Sequence, residues 1–228
     1  YYFASINSNP RWWYLPLDTY FRSVAISADG EYVVAGANSG YLYYFADANT
    51  RVGNQSDPTW TSVYMGGPVE RDAVDISDDG DYVAAGGTGP NVFYFANCTQ
   101  RSGSDQGVTW GEYLWVFDIL AVDLSPDGKY LALGGTNYTR GFVAYYKNAD
   151  VEPHVVGPDW LAWTSINSGS ITDLAVSDDG YAVCAVGLDF MTLYYWANST
   201  TLSGDPGATW TGYGYFGCVD MSADGDSV

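Results

Sequence analysis

Val24-Ala25-Ile26-Ser27-Ala28-Asp29-Gly30-Glu31-Tyr32-Val33-Val34-Ala35-Gly36 is the stretch from which the rest of the chain can be read. Val24 and Ile26 alternate with a small residue, as in a strand of period two, and Ser-Ala-Asp-Gly ends the run with residue types that favour tight turns. A second apolar run, Tyr32 to Gly36, follows at once. The pattern returns at Ser77-Asp78-Asp79-Gly80, Ser125-Pro126-Asp127-Gly128, Ser177-Asp178-Asp179-Gly180 and Ser222-Ala223-Asp224-Gly225. These turns are entered through Val74 and Ile76, Val122 and Leu124, Leu174 and Val176, and Val219 and Met221. By subtraction the serines stand 50, 48, 52 and 45 residues apart.

Two further strands complete each repeat. An aromatic triplet, Tyr43-Tyr44-Phe45, recurs as Phe93-Tyr94-Phe95 and Tyr194-Tyr195-Trp196, and Tyr1-Tyr2-Phe3 opens the chain. Trp60, Trp110, Trp160 and Trp210 begin a fourth strand, each 50 residues after the last. Four short strands per period of this length, with only turns between them, predict an all-β fold: a β-propeller of four-stranded antiparallel blades. A sandwich strand keeps one wet face, whereas blades stack on both faces, which suits aromatic triplets and small residues such as Gly36, Gly86 and Gly134. We expect one domain over residues 1–228, with repeats at 22–66, 67–116, 117–167 and 168–215 and partial ones at 1–21 and 216–228.

About five blades are represented. The chain starts in a third strand and stops as a second begins, opening on Tyr1 rather than Met, which reads as processing or truncation. One reading is a window of a seven- or eight-bladed propeller, and this is favoured. Another is a five-bladed ring closed by a shared blade, and a third is a filament in which a neighbouring molecule supplies the missing strand.

Composition narrows the function. The hydrophobic share of 47% and aromatic share of 17% supply a core for 228 residues. A formal charge of -19, with Lys129 and Lys147 the only lysines, argues against nucleic acid as a partner, since a phosphate backbone needs a basic surface. No apolar run approaches the roughly 18 residues of a membrane span, so this segment is not expected to insert directly. Cys98, Cys184 and Cys218 are too scattered for a disulfide framework or a zinc site; burial is expected, with a Cys184–Cys218 pair as the alternative.

The Ser-x-Asp-Gly turn between apolar strands resembles the WD-repeat-like and YVTN-type propellers of archaeal and bacterial cell-surface proteins. Ala46-Asp47-Ala48-Asn49-Thr50 leading to Trp60 is similar to the tryptophan-docking segment of pyrroloquinoline-quinone-type repeats, with a longer spacing. The resemblance covers the whole chain. It implies an extracellular, non-enzymatic binding or assembly module with a protein or glycan partner and self-assembly as a further use. The alternative is a propeller domain of a quinone-dependent dehydrogenase or a carbohydrate-active enzyme. The Gly-His and Trp-Asp pairs of the strict WD repeat are absent.

Four sequons, at Asn54, Asn97, Asn137 and Asn198, fall in loops and turns and mark candidate glycosylation sites. Loops entering the innermost strands contribute Arg22, Arg71, Asp72, Asp118 and Asp173, with Tyr20, Phe117 and Tyr138 nearby, as candidates for a binding surface on the axial face. Asp75, Asp123 and Asp220 share one position inside the innermost strand, where backbone pairing is preferred over an ion channel. Loop carboxylates Asp57, Asp105, Asp159 and Asp205 are too dispersed for calcium and read as turn residues. The single histidine, His154, has no nucleophile near it in sequence, so no catalytic residue, metal or cofactor is assigned.

Overall fold

The computed structural model describes residues 2–4, 11–14, 19–51, 53–54, 57–114, 118–151, 157–164, 169–187 and 192–228. Two short strands, β1 (Tyr2–Ala4) and β2 (Arg11–Tyr14), pair antiparallel. Four four-stranded antiparallel sheets follow in strict chain order. Sheet I holds β3 (Phe21–Ile26), β4 (Val33–Ala37), β5 (Leu42–Phe45) and, after the two-residue β6 (Gly53–Asn54), β7 (Trp60–Ser62). Sheet II holds β8 (Val74–Ile76), β9 (Val83–Gly87), β10 (Gly89–Phe95) and, after β11 (Gly103–Gln106), β12 (Trp110–Tyr113). Sheet III comprises β13 (Asp118–Leu124), β14 (Leu131–Thr136), β15 (Gly141–Tyr146) and β16 (Trp160–Trp163). Sheet IV comprises β17 (Ile171–Val176), β18 (Ala182–Gly187), β19 (Thr192–Ala197) and β20 (Trp210–Tyr213). Backbone pairing also joins sheets II and III where Gly89, at the start of β10, pairs with Asp118 of β13.

Each of the first four Ser-x-Asp-Gly segments is the turn between a first and a second strand, and Ser222 to Gly225 forms the same turn with no strand on either side of it. The Ser27 hydroxyl donates to Asp29 at 2.7 Å and accepts the Tyr32 N–H at 3.0 Å, and Ser77, Ser125, Ser177 and Ser222 repeat both bonds. The turn ends on a residue with φ between 69° and 76°, the left-handed region in which a Cβ is strained, so glycine holds all five positions.

Neighbouring sheets are joined by the same parts at every seam. The indoles of Trp60, Trp110 and Trp160 stack on Tyr44, Tyr94 and Tyr145, with ring centroids 4.9, 5.0 and 5.4 Å apart. Each indole N–H then donates to a carbonyl of the next unit: Trp60 to Cys98 at 3.0 Å, Trp110 to Ala149 at 2.8 Å and Trp160 to Ser199 at 3.1 Å. That carbonyl sits at a corner made by a left-handed residue, Asn97, Asn148 or Asn198, followed by a small buried one. The stacked tyrosines donate their hydroxyls to the turn glycines of the next unit, Tyr44 to Gly80 at 2.8 Å, Tyr94 to Gly128 at 2.7 Å and Tyr145 to Gly180 at 2.8 Å. Buried aromatic rings whose polar tips are all satisfied contribute both apolar burial and register.

Second-strand glycines let the sheets approach. A Cβ on Gly86 would lie 2.3 Å from Ile119 Cγ2, and one on Gly134 would lie 2.4 Å from Ile171 Cγ2. Val74 and Ile76 are thereby buried to 4% and 6% exposure, whereas their equivalents in sheet I, Val24 and Ile26, are 69% and 49% exposed. No second strand precedes β3 among the described residues to cover them. Cys98 and Cys184 are buried free thiols, as expected; Cys218 is free but exposed, which corrects the expectation of burial.

Candidate functional site

The first strands of sheets I to IV, with the Cys218–Asp220 segment of the fifth repeat, line one open cavity of about 460 Å³. Ser23 to Ile26, Asp72, Val74, Asp75, Val122, Asp123, Asp173 to Ala175 and Cys218 to Asp220 contribute to it. Alternation along each strand sends one set of side chains between the sheets and turns the other toward this opening. Five carboxylates, Asp72, Asp75, Asp123, Asp173 and Asp220, face it, and no basic side chain does.

Three of these carboxylates tie one unit to the next through backbone N–H groups. Asp75 accepts from Leu124 at 2.7 Å, Asp123 from Val176 at 2.6 Å and Asp173 from Val219 at 2.7 Å. Backbone pairing is thus what Asp75 and Asp123 do in their strands. Their carboxyls also hydrogen-bond each other. Burial pushes Asp75 up to about 6, with the Ile76 and Leu124 N–H groups and the Asp123 carboxyl pulling the other way. Asp123 is held well above the ordinary carboxylate range, first by burial and then by the Asp75 charge. Burial also raises Asp173, helped by the charges of Asp72, two sheets away, and Asp220.

Of the residues proposed for the axial face, Asp72 and Asp173 line the cavity and the others lie elsewhere. Arg22 pairs with Glu70 at 3.0 Å, and Glu70 also accepts from Thr88. Asp118 accepts the Gly89 N–H at 3.1 Å at the contact of sheets II and III. Arg71 is exposed and does not line the cavity. Tyr20 and Tyr138 are exposed, and Phe117 lies outside the described residues.

Asn97 and Asn198 are exposed at left-handed corners, with φ of 56° and 59°. Asp47 and Asn148 hold the same corner without a sequon, so backbone conformation alone accounts for an Asx residue there. Asn137 is half-buried, and its amide oxygen accepts from the Thr139 and Arg140 backbone. Asn54 lies on β6, where only the backbone pairing with Tyr14 is described. Among the loop carboxylates, Asp159 accepts the Lys147 N–H and pairs with its ammonium, and Asp205 accepts the Trp163 N–H at 3.1 Å. No group of His, Cys, Asp and Glu among the described residues is placed to hold a metal ion. His154 lies outside them.

A second opening escaped the sequence reading. A groove of about 640 Å³ runs between β16 and the outer half of sheet IV, lined by Trp163, Tyr194, Trp196, Asp205, Thr211 and Tyr213, among others. In sheets I and II the corresponding loops are closed by arginines. Arg101 donates to the carbonyls of Ala96 and Gly107 and to the Thr109 hydroxyl and lies over the Phe95 ring, and Arg51 makes the matching set around Phe45. In sheet IV, Leu202 stands at this position, and the loop from the corner to the tryptophan is one residue shorter, 198 to 210 against 97 to 110. Those two differences were visible as text, but not the empty volume they leave.

No protein-family model matches the chain, and no curated protein does. No helix among the described residues is long and apolar enough to cross a membrane.

Proposed function

We propose that the chain is a β-propeller with five blades represented, serving outside the cell as a non-enzymatic module for binding and assembly. The observation that carries this reading is the single cavity lined by the first strands of four successive sheets and by the Cys218–Asp220 segment of a fifth repeat. Sheets that share a hub in this way, each fastened to the next by the same Tyr, Trp and Gly set, form a rigid scaffold whose loops are free to carry recognition.

The cavity repels anions. Its carboxylates are spent largely on backbone N–H groups, so it serves to hold the units together more than to perform chemistry. The exposed Asn97 and Asn198 sequons support an extracellular home, and the uncovered Val24 and Ile26 face supports lateral assembly.

Small-angle scattering tests the architecture. A closed or nearly closed ring of this length has a radius of gyration of about 17 Å. A straight stack of five sheets, at about 10 Å per step, is longer, and a clearly larger radius would count against the propeller. Intact mass before and after deglycosylation, on protein from its native source, tests the location; an unmodified mass removes the support that the sequons give.

A further inference from the structure

The groove between sheets III and IV combines wide aromatic faces with a few polar groups at its rim. Trp163 and Tyr194 are half-buried along it, and Tyr213 stands 80% exposed at its mouth. Trp196 forms the floor, stacked on Tyr194 at 5.8 Å, with its indole N–H already committed to the Pro206 carbonyl. Asp205 Oδ1 accepts the Trp163 N–H, while Oδ2 accepts no hydrogen bond among the described residues, and Thr211 is exposed beside it. The volume of about 640 Å³ falls in the range of sites that take small molecules.

We infer that this groove binds the pyranose rings of a neutral glycan. The inference rests on the binding-module reading above and adds to it a site and a ligand class. A pyranose ring offers a face of C–H bonds to an aromatic surface while its hydroxyls radiate outward, and the groove has that layout in reverse: rings on the walls, acceptors on the rim. The Asp205 carboxylate and the chain's charge of -19 select against sialylated or sulfated sugars. Asp205 is suited to accept from two vicinal hydroxyls, as carboxylates do when held by a neighbouring N–H. The other described seam of this kind has no such space, because Gly103–Gln106 runs along β7 as a parallel strand and the Val63 N–H is taken by the Gln106 carbonyl.

The test is calorimetric titration of the whole chain with maltotriose, cellotriose and tri-N-acetylchitotriose, beside a sulfated trisaccharide and a lysine-rich peptide. At least one neutral sugar should bind, the sulfated one should not, and Tyr213→Ala should weaken binding at least tenfold while leaving the unfolding curve unchanged. Asp205→Asn, which keeps the acceptor for Trp163, should weaken it severalfold. A sugar that binds Tyr213→Ala as tightly as the parent overturns the groove assignment and leaves the binding-module reading standing. Binding of the peptide alone, or of none of the probes, overturns the glycan assignment. Cleavage of a bound sugar overturns the non-enzymatic reading, while loss of that binding in Tyr213→Ala upholds the groove.

Discussion

The seam between sheets I and II and the seam between sheets III and IV use the same inner parts and differ in their outer ones. Both carry a tryptophan stacked on a tyrosine and hydrogen-bonded to the next unit's corner. Toward the outside, the first is sealed by Arg101 and by the parallel strand Gly103–Gln106, whereas the second has no such strand among the described residues, and Leu161 donates to Gly204, Trp163 to Asp205 and Lys147 to Thr200. If the groove binds as proposed, stability and recognition are carried by different halves of one repeat. The inner half tolerates less change because it is packed from both sides, and the outer half varies more between units.

The strongest way to break this comparison is at the shared lock. Trp60→Ala and Trp160→Ala should each cost about 3–5 kcal/mol in urea unfolding, since both rings are fully buried and each loss also removes a buried hydrogen bond to the next unit. A large difference between the two would show that the inner halves are not equivalent. Arg101→Leu, which copies Leu202 into sheet II, should cost about 2 kcal/mol through the loss of charged hydrogen bonds. It should also make the Trp60 indole, over which the guanidinium lies, more accessible to acrylamide quenching.

The paired carboxylates sharpen the comparison by pH. Asp75 and Asp123 clamp the seams of sheets II with III and III with IV, while Ala25 stands at the matching place in sheet I. Their folded values lie above the ordinary carboxylate range, so the folded protein binds more protons than the unfolded chain. Their contribution is therefore full below about pH 4 and declines as pH rises through about 6 for Asp75, with Asp123 declining later. The change should be on the order of 2 kcal/mol. Hydrogen exchange should locate it at the Leu124 and Val176 amides, and Asp123→Asn should flatten the slope. The smallest effect belongs to Trp210→Ala. That indole stacks on Tyr195 but is 43% exposed, so its loss should cost about 1 kcal/mol or less.

Much of the fold was legible because it is written in repeats. The five turns and four tryptophans stand at regular spacing, and their geometry is local or depends on the next copy of the same unit. The site was less legible. Arg22 sits one position from Ser23, which lines the cavity, and along a strand one position reverses the direction of a side chain, while Asp118 lies at the far end of its strand from Val122 and Asp123. The meeting of Asp75 with Asp123 depends on sideways distance between sheets, to which no spacing along the chain is a guide. Cys98, which looked like a thiol to be hidden, matters through its carbonyl, and Ala149 and Ser199 serve as well.

That last substitution pattern has a consequence for how such a chain grows. Because the indole addresses a main-chain oxygen, the lock asks of the next unit only a left-handed corner followed by a small residue, and Cys98, Ala149 and Ser199 all meet that requirement. A duplicated copy spliced between two existing ones would find its socket and its plug already made. Length in this architecture can therefore change by whole modules in a single genetic event, while the loops drift independently toward new ligands.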